Sequence, residues 1–275
     1  MTEQRKDFPE FYLTRPQPCP YLPDRYERKL FTHLGREKSS AHFDLLHGDG
    51  FRRSQTIAYR PHCENCKSCI SVRIRVNDFA QSRSQKRVWR LNKDIHSARA
   101  PALASPEQYA LFKSYVETRH NDGGMADMSQ NDYQAMIEDS VVDSFLTEYR
   151  LPRQINSSDP QANEGQNYTY SLAGENYQRA ASHNKSSPLI GIALCDELSD
   201  GVSLVYSYFD PDFKARSLGT FIILETISYA QALGLPFVYL GYWVEGSPKM
   251  DYKIRFLPQD HLIDGVWRKV SKRVL

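Results

Sequence analysis

The second half of the chain has an alternation of apolar and polar positions that predicts a strand, a turn, a helix and a second strand. Residues 202–209 are rich in β-branched and aromatic side chains, and the Asp-Pro-Asp turn at Asp210 ends this strand. Apolar residues then recur at helical spacing over 218–233, and Gly234 closes the helix. Residues 237–240 are predicted to form a short buried strand. Two strands joined in this way are expected to be parallel, with a right-handed crossover, so the segment predicts an α/β fold.

The middle of the chain adds two helices and two strands to this prediction. Ser105 before Pro106 is a strong helix start, and Ser129 with an aspartate three residues later starts a second helix. Residues 145–150 and 189–194 are predicted strands, and the turn that follows the latter makes a hairpin with 202–209.

Residues 151–187 differ in composition from the rest of the chain. They are rich in Asn, Ser, Gln and Gly and have almost no aliphatic side chains. Such a segment cannot bury a core, so we expect a flexible insertion between adjacent strands.

The first hundred residues combine predicted strands with a concentration of basic residues. Residues 51–61 are predicted to form one strand, and residues 70–76 alternate apolar residues with Ser and Arg, as in a strand with one buried face. Residues 77–96 are predicted to form a helix with a basic side and an apolar stripe of Val88, Leu91 and Ile95.

Charge is unevenly distributed although the formal net charge is only +2. Residues 51–99 contain 12 Lys or Arg and 3 Asp or Glu, whereas residues 100–275 contain 15 and 22. A basic segment on an otherwise acidic chain indicates a polyanionic partner, and a solvated basic face is the alternative. On the predicted helix, Arg83, Lys86, Arg87 and Arg90 could neutralise a phosphate backbone.

Length and composition set the remaining bounds. A chain of 275 residues with 40% hydrophobic residues can bury one large core or two modest ones. No apolar run approaches the roughly 18 residues of a membrane span, and the first residues lack the apolar core of a signal peptide. We therefore expect a cytoplasmic protein, and five cysteines in such a protein argue against a disulfide framework.

Three cysteines spaced by two residues form a candidate metal site. Cys63, Cys66 and Cys69 could turn around one ion, and either Cys19 or His62 could supply the fourth ligand. Zinc and an iron–sulfur cluster both suit these ligands. The alternative is that the cysteines are small, half-buried residues in a turn.

Several ordered motifs resemble one family. The YFDPD turn, Ser217-Leu218-Gly219, YLGYW and SPKMDYK resemble the C-terminal half of aminoacyl-tRNA–protein transferases. The CPYLP, GFRRS, YRP–cysteine and SRSQKR segments resemble the N-terminal half, so only 151–187 lies outside the resemblance. The chain is most similar to the bacterial aspartate/glutamate leucyltransferase branch of this family.

The resemblance implies a fold, an activity and partners. The fold would be an N-acetyltransferase-like (GNAT-type) mixed sheet, preceded by a cysteine-containing basic region. The activity would be transfer of leucine from leucyl-tRNA to proteins beginning with Asp or Glu, which marks them for degradation. In the eukaryotic branch, which transfers arginine, paired cysteines are implicated in iron–sulfur binding. This chain has only a single cysteine, Cys19, near its start.

Roles for individual residues follow as hypotheses. Asp210 could accept a proton from the acceptor amine or hold its ammonium, and an ordinary turn aspartate is the alternative. Tyr208, Tyr239 and Tyr242 could donate to the ester carbonyl or the ribose, although buried strand tyrosines are often only core.

The substrate-binding candidates lie at the start of the long helix and in the loop after the last predicted strand. A phosphate of tRNA could bind the exposed amides at the helix start. The basic loop could bind either the acidic side chain of the acceptor or the terminal phosphates of tRNA. A solvated basic loop is the alternative. The candidates are Ser217, Gly219, Tyr242, Lys249, Tyr252, Lys253 and Arg255.

Three other functions stay open at this point. The same fold could transfer arginine, the domain could be an acetyltransferase that uses coenzyme A, or the chain could be a non-catalytic RNA-binding protein. We predict an N-terminal region at 1–100 and an acyltransferase-like domain at 101–275. The expected partners are leucyl-tRNA and acceptor proteins, with neither a membrane nor DNA.

Overall fold

A computed structural model describes residues 9–35, 39–119, 125–152 and 187–271. Five α-helices lie in these ranges: α1 (Ser39–Gly48), α2 (Arg83–Leu91), α3 (Pro106–Arg119), α4 (Gln130–Glu138) and α5 (Leu218–Ala232). Three short 3-10 helices also occur there, at Val76–Asp78, Pro211–Arg216 and Asp251–Arg255.

The same ranges contain fourteen strands. They are β1 (Tyr12–Leu13), β2 (Gln17–Pro18), β3 (Tyr26–Glu27), β4 (Lys29–His33), β5 (Arg52–Ser54), β6 (Ile57–Pro61), β7 (Cys69–Arg75), β8 (His96–Pro101), β9 (Ser144–Arg150), β10 (Leu189–Leu198), β11 (Gly201–Phe209), β12 (Phe237–Val244), β13 (Gln259–Ile263) and β14 (Val266–Val270).

One large mixed sheet dominates the architecture. Its eight strands lie in the order β14-β13-β7-β12-β11-β10-β9-β8. The β11–β12 pair is parallel, and the other pairs in this sheet are antiparallel. A smaller sheet, in the order β1-β4-β6-β5, and the β2–β3 pair are formed by the N-terminal residues. The α/β class and the mixed sheet expected from the sequence are therefore confirmed.

The parallel pair is connected by the predicted helix. α5 buries most of its apolar residues and ends before Gly234. Gly234 has a φ of +70°, a conformation that glycine adopts without steric strain because it has no Cβ. β10 and β11 form the predicted hairpin, closing at Leu198 and Gly201. The strand–helix–strand prediction for this part of the chain is confirmed.

Two hydrophobic cores use alternate residues of the central strands. In β10, Ala193 and Cys195 pack with α5, whereas Ile192 and Leu194 pack with α3 and α4. Successive strand residues point to opposite faces of a sheet, so the sheet is covered on both sides here. A third core, which contains Tyr239, packs under α1.

Side-chain caps place α3 and α4 where the sequence predicted them. The amide of Gln108 donates to the hydroxyl of Ser105, and the amide of Asp132 donates to the hydroxyl of Ser129. Each cap satisfies an amide that the first helical turn leaves without a partner.

The basic helix is shorter than the sequence predicted. α2 begins after Ser82, which forms a capping box with Gln85. It ends before Asn92, whose buried side-chain amide donates to the carbonyls of Val88 and Arg216. Leu91, predicted to be part of an apolar stripe, is instead 48% exposed. The prediction of a continuous helix over 77–96 was wrong because these local caps override the weak periodicity.

Residues 51–61 form a hairpin of β5 and β6 rather than one strand, because Gln55 adopts a positive φ of 52° at the turn.

The domain boundary near residue 100 stays a prediction, although β7 and β8 share a sheet with strands from beyond it.

The predicted flexible insertion lies largely outside the described residues, which stop at 152 and resume at 187. The strands on either side of it, β9 and β10, are adjacent and antiparallel as expected. Among the described helices, none has the length and apolar character that a membrane crossing requires.

Candidate functional site

The parallel strands β11 and β12 separate soon after they pair. Their shared register covers three residue pairs and ends at Ser203 and Tyr239. β11 then continues for six residues and β12 for five. Buried polar atoms on both strands, the hydroxyl of Tyr206 and the indole nitrogen of Trp243, have no hydrogen-bond partner among the described residues. Beyond this point β11 and β12 no longer form backbone hydrogen bonds with each other. The backbone groups on their facing edges are therefore not used by a ladder between these two strands.

Two buried cations lie beside the point of separation. Arg52 is 7% exposed and Lys253 is 6% exposed. The Arg52 guanidinium donates from Nη2 to the carbonyl of Gly241 at 3.2 Å, and its Nε has no partner among the described residues. The Lys253 ammonium donates to the carbonyl of Tyr242 at 2.7 Å. Both cations therefore converge on the same short piece of β12.

Gly241 creates the space between these two cations. Its φ is +78°, and the register of β12 against β7 shifts between Tyr239 and Gly241. A Cβ at this position would lie 3.6 Å from Nζ of Lys253 and 3.9 Å from Nε of Arg52. The absence of a side chain thus leaves a position at ordinary contact distance from both nitrogens.

Burial strongly affects the charge of Lys253. Its pKa is lowered to about 7, mainly by desolvation and in addition by the nearby Arg52 guanidinium. At neutral pH this amine is therefore part charged and part neutral. It can act as a donor to an anion or exchange a proton.

His47, on α1, completes the surroundings of Arg52. Its Nε2 lies 2.6 Å from Nη1 of Arg52 and 3.1 Å from the hydroxyl of Ser203. A guanidinium can only donate, so Nε2 is an acceptor and the imidazole is neutral. Burial and the adjacent Arg52 hold the pKa of His47 well below its ordinary value, which agrees with this protonation state.

Tyr239, a predicted catalytic residue, is 1% exposed and belongs to a polar network. Its hydroxyl donates to Asp200 at 2.8 Å and accepts from Nη1 of Arg73 at 3.1 Å. Burial raises the pKa of Tyr239, and the negative charge of Asp200 raises it further. Arg73 also binds Asp260, which Arg75 contacts as well. These bonds fix Tyr239 beside His47, whose ring centroid is 4.4 Å from the tyrosine ring.

Tyr208 and Asp210, the other predicted catalytic residues, lie elsewhere. Tyr208 is fully buried in the core under α3 and α4, where its hydroxyl lies 2.5 Å from that of Tyr133. Asp210 is partly exposed, and its carboxylate accepts from the amide of Asp212 at 2.9 Å. The structure thus does not bring Tyr208 together with Tyr239, which lies in a different core.

The predicted substrate-binding residues differ in exposure. Tyr242 and Lys253 are buried, and the Tyr242 hydroxyl donates to the carbonyl of Gly50 at 2.8 Å. Gly219 is partly exposed at the start of α5, where a Cβ would lie 3.1 Å from the Phe209 ring. The exposed members of the set are Ser217, Lys249, Tyr252 and Arg255.

The predicted tRNA-binding residues are all exposed on α2. Within the part of the chain that the structure describes, no ion pair involves any of them. This differs from Arg73 and Arg75 on β7, which bind Asp260. The exposed residues are Arg83, Lys86, Arg87 and Arg90.

Four cysteines line one small cavity of about 60 Å³, next to Tyr59 and Tyr242. Burial raises the pKa of the Cys69 thiol to about 12, and the other three cysteines add to this. A hydrogen bond from the Ser68 amide lowers the pKa of the Cys66 thiol. Among the described residues, however, no three His, Cys, Asp or Glu side chains form a ready set of metal ligands. The cysteines are Cys19, Cys63, Cys66 and Cys69.

Sequence reasoning missed Arg52, His47 and Gly241. One signal was available, since two successive arginines in a strand must point to opposite sides and cannot both follow one solvated face. Nothing local to His47 or Gly241 indicates that they meet Arg52.

Comparisons with known proteins agree with the family that the motifs indicated. Residues 17–87 match the family model described as the N terminus of arginine-tRNA-protein transferase, and residues 107–263 match the model of its C terminus. An aspartate/glutamate leucyltransferase of Nitrobacter winogradskyi is 49% identical and covers 98% of this chain and 96% of its own. That of Azorhizobium caulinodans is also 49% identical, over 99% and 100% of the two chains.

Among solved structures, FemX matches with a TM-score of 0.46 and 10% identity, over 83% of this chain and 67% of its own. The two family models together cover most of the sequence in the expected order. The chain therefore belongs to the arginine-tRNA-protein transferase family.

Proposed function

We propose that the protein transfers leucine from leucyl-tRNA to the N-terminal Asp or Glu of acceptor proteins, which marks them for degradation. The observation that carries this proposal is the 49% identity, over nearly full length, to proteins named aspartate/glutamate leucyltransferase. Identity at this level across both halves of the chain covers the acyl-transfer region and the basic N-terminal region alike.

The chemistry asks for positioning more than for a strong base. An aminoacyl ester is already activated, and a protein α-amine has a pKa near 8, so part of it is neutral at cellular pH. The amine nitrogen attacks the ester carbonyl, the C–N bond forms, and the C–O bond to the 3′-terminal ribose breaks. The amine loses a proton and the ribose oxygen gains one. Correct orientation alone can supply about 7 kcal/mol of the barrier.

The separated edges of β11 and β12 are the proposed place for the ester. Backbone amides there can donate to the oxyanion that forms when the amine attacks. Of the three predicted catalytic residues, only Asp210 is partly exposed, at the end of β11, and its contact with the amine stays a prediction. Tyr208 and Tyr239 instead support the two strands, because each hydroxyl is buried and already bonded within the protein.

The fold type proposed is N-acetyltransferase-like. One parallel pair joined by a helix, inside an otherwise antiparallel sheet, supports this proposal. In this arrangement the strands open at the end where an acyl group can lie between them. α2, with its four exposed and unpaired cations, is the proposed contact with the tRNA backbone.

Binding of zinc or an iron–sulfur cluster at the four cysteines stays a prediction. The cysteines share a cavity, but their placement does not form a ready ligand set, and no step proposed above uses a metal. Elemental analysis of the purified protein, compared with a Cys66→Ser variant, tests it. Metal in stoichiometric amount that the variant loses would support the prediction.

Transfer of labelled leucine to peptides that begin with Asp or Lys tests the main proposal. We expect incorporation into the Asp peptide alone, from leucyl-tRNA and not from arginyl-tRNA. The family description favours arginine transfer as the second candidate, and incorporation of arginine alone would establish it in place of leucine. If tRNA binds regardless of aminoacylation and neither amino acid is transferred, the protein is an RNA-binding protein. Tight binding of acetyl-CoA without tRNA would instead indicate an acetyltransferase.

A further inference from the structure

Four Lys or Arg residues are buried in the described part of the chain, and they fall into two kinds. Arg53 binds Asp196 through two nitrogens at 2.8 and 2.6 Å, and Arg150 binds Glu107 and Glu148. The remaining two, Arg52 and Lys253, form no ion pair with any described carboxylate.

An unpaired buried charge is costly, and proteins rarely retain one without a use for it. The neighbours of Arg52 do not compensate its charge. His47 is neutral, the carbonyl of Gly241 is a dipole, and the rings of Tyr239 and Tyr242 lie 5.7 and 5.6 Å from the guanidinium carbon. The charged group with the largest effect on the pKa of Lys253 is Arg52, whose positive charge repels that of the ammonium. The pair therefore presents uncompensated positive charge inside the protein.

Nitrogens of both side chains that have unused donors lie near one place. Nε of Arg52 has no partner among the described residues, and Nζ of Lys253 uses one of its three protons for the carbonyl of Tyr242. Both nitrogens lie within 4 Å of the position that a side chain on Gly241 would occupy. A carboxylate, with two oxygens and no proton, fits donors arranged in this way.

We propose that Arg52 and Lys253, on either side of Gly241, bind the side-chain carboxylate of the acceptor's N-terminal Asp or Glu and so determine acceptor specificity. The inference rests on the proposed transfer of leucine to such acceptors. It adds Arg52 and Gly241 to the site, and it separates buried Lys253 from the exposed Lys249 and Arg255.

The location of the pocket agrees with this role. Gly241 follows Tyr239 by two residues, and Tyr239 is where the pairing of β11 and β12 ends. A carboxylate held at Gly241 keeps the α-amine of the same residue only a side chain's length away. The amine would then lie at the opening between the strands, where the ester is proposed to bind.

Peptides that begin with Asp or Asn provide the probe, because these residues have nearly the same shape and differ in charge. The assay measures kcat/KM for leucine transfer to each peptide, with the wild type and with Lys253→Met and Arg52→Met. We expect each variant to lower kcat/KM for the Asp peptide by about ten- to a hundredfold, the range of a hydrogen bond to a charged group. We expect little change for the Asn peptide, so the preference for Asp should collapse.

A steric variant covers the case in which a charge variant fails to fold. Gly241→Ala adds a methyl group between the two cations, and Gly234→Ala is its matched control. Both glycines have positive φ, but nothing lies within 4 Å of a Cβ at Gly234. Gly241→Ala should reduce the preference for Asp over Asn, whereas Gly234→Ala should retain it. Lys269→Met, on the surface of β14, controls for the loss of one positive charge.

Two results separate failure of the pocket from failure of the proposed function. If the wild type transfers leucine and prefers Asp, but Lys253→Met, Arg52→Met and Gly241→Ala keep that preference, the pocket assignment is wrong. If the wild type transfers no leucine, the proposed function fails, and calorimetric titration with the two peptides still tests the pocket. Equal affinity of the wild type for both peptides in that titration would overturn it.

Discussion

Arg52 and Arg53 are adjacent in the short strand β5, yet the protein treats their charges in opposite ways. Arg53 is paired with Asp196, and both side chains are almost completely inaccessible. The hydroxyl of Ser144 also donates to Asp196, at 2.6 Å. Arg52 has a neutral histidine, a carbonyl and two aromatic rings around it, with no described carboxylate.

The comparison separates two uses of a buried charge. At Arg53 the charge is neutralised within the protein, so its removal affects mainly stability. At Arg52 and Lys253 the compensating anion is missing, so their removal should affect mainly the binding of a ligand that supplies it. The same residue type in the same strand thus has a structural role on one side and a proposed binding role on the other.

The largest effect is expected from breaking the buried ion pair of Arg53 and Asp196. Asp196→Asn keeps the shape of the side chain but leaves the Arg53 guanidinium buried without a counterion, which should lower the free energy of unfolding by about 3–5 kcal/mol. Urea denaturation at pH 7 measures this.

Asp264→Asn is the matched control, since it removes the same charge from the exposed pair with Lys67. It should leave stability nearly unchanged. Equal destabilisation by Asp196→Asn and Asp264→Asn would show that the buried pair contributes no more to stability than the exposed pair.

The second effect concerns pH and the unpaired lysine. The pKa of Lys253 is about 7 in the folded protein and near 10.5 when the chain is unfolded. Between these values the unfolded state binds more protons, so stability should rise as pH increases from 7 towards 10, by at most about 1.4 kcal/mol per pH unit. Below pH 7 both states are protonated and this contribution is constant.

Lys253→Met should lack this rise, and the difference between wild type and variant from pH 7 to 9 isolates it. The charged groups with the largest effect on Lys253 are Arg52, which lowers its pKa, and Cys69, which raises it. An identical pH profile for the two proteins would mean that the lysine is hydrated in solution. It would then be no different from an exposed cation.

The smallest effect per substituted residue is expected for tRNA binding by the exposed cations of α2. Changing Arg83, Lys86, Arg87 and Arg90 together to alanine should weaken tRNA binding and lower the slope of log K against log salt by about 3. Thermal stability should hardly change, because none of the four is buried.

Arg268→Ala combined with Lys269→Ala provides a control on β14, where both residues are exposed. The salt dependence of tRNA binding should stay the same in this variant. If the α2 variant also keeps the wild-type slope, tRNA contacts another surface.

Much of the fold could be predicted from local patterns. The caps at Ser105 and Ser129, the strand–helix–strand unit around α5 and the hairpin before it all depend on residues close in sequence. The errors occurred where a local contact competes with a weak pattern. Ser82 and Asn92 shorten α2, and Gln55 divides one predicted strand into a hairpin.

The candidate site was predictable only in part. Lys253 and Tyr242 were expected near the substrate because they lie in one loop and one strand of the C-terminal half. Tyr208 was grouped with Tyr239 because both are strand tyrosines, but side-chain direction and depth place them in separate cores. Arg73 and Arg75 formed part of a predicted basic face, and Asp260, far along the chain, binds both.

The sequence by itself determined the secondary structure around α5, the excess of positive charge in residues 51–99 and the family. These depend on short-range periodicity, composition and ordered motifs, which need no knowledge of what packs against what. Only the tertiary structure decided which positive charges are neutralised, because a counterion can come from any part of the chain. Arg53 meets Asp196 across the fold, whereas Arg52 meets Lys253, a second cation from the far end of the chain, beside a glycine that leaves space for an anion.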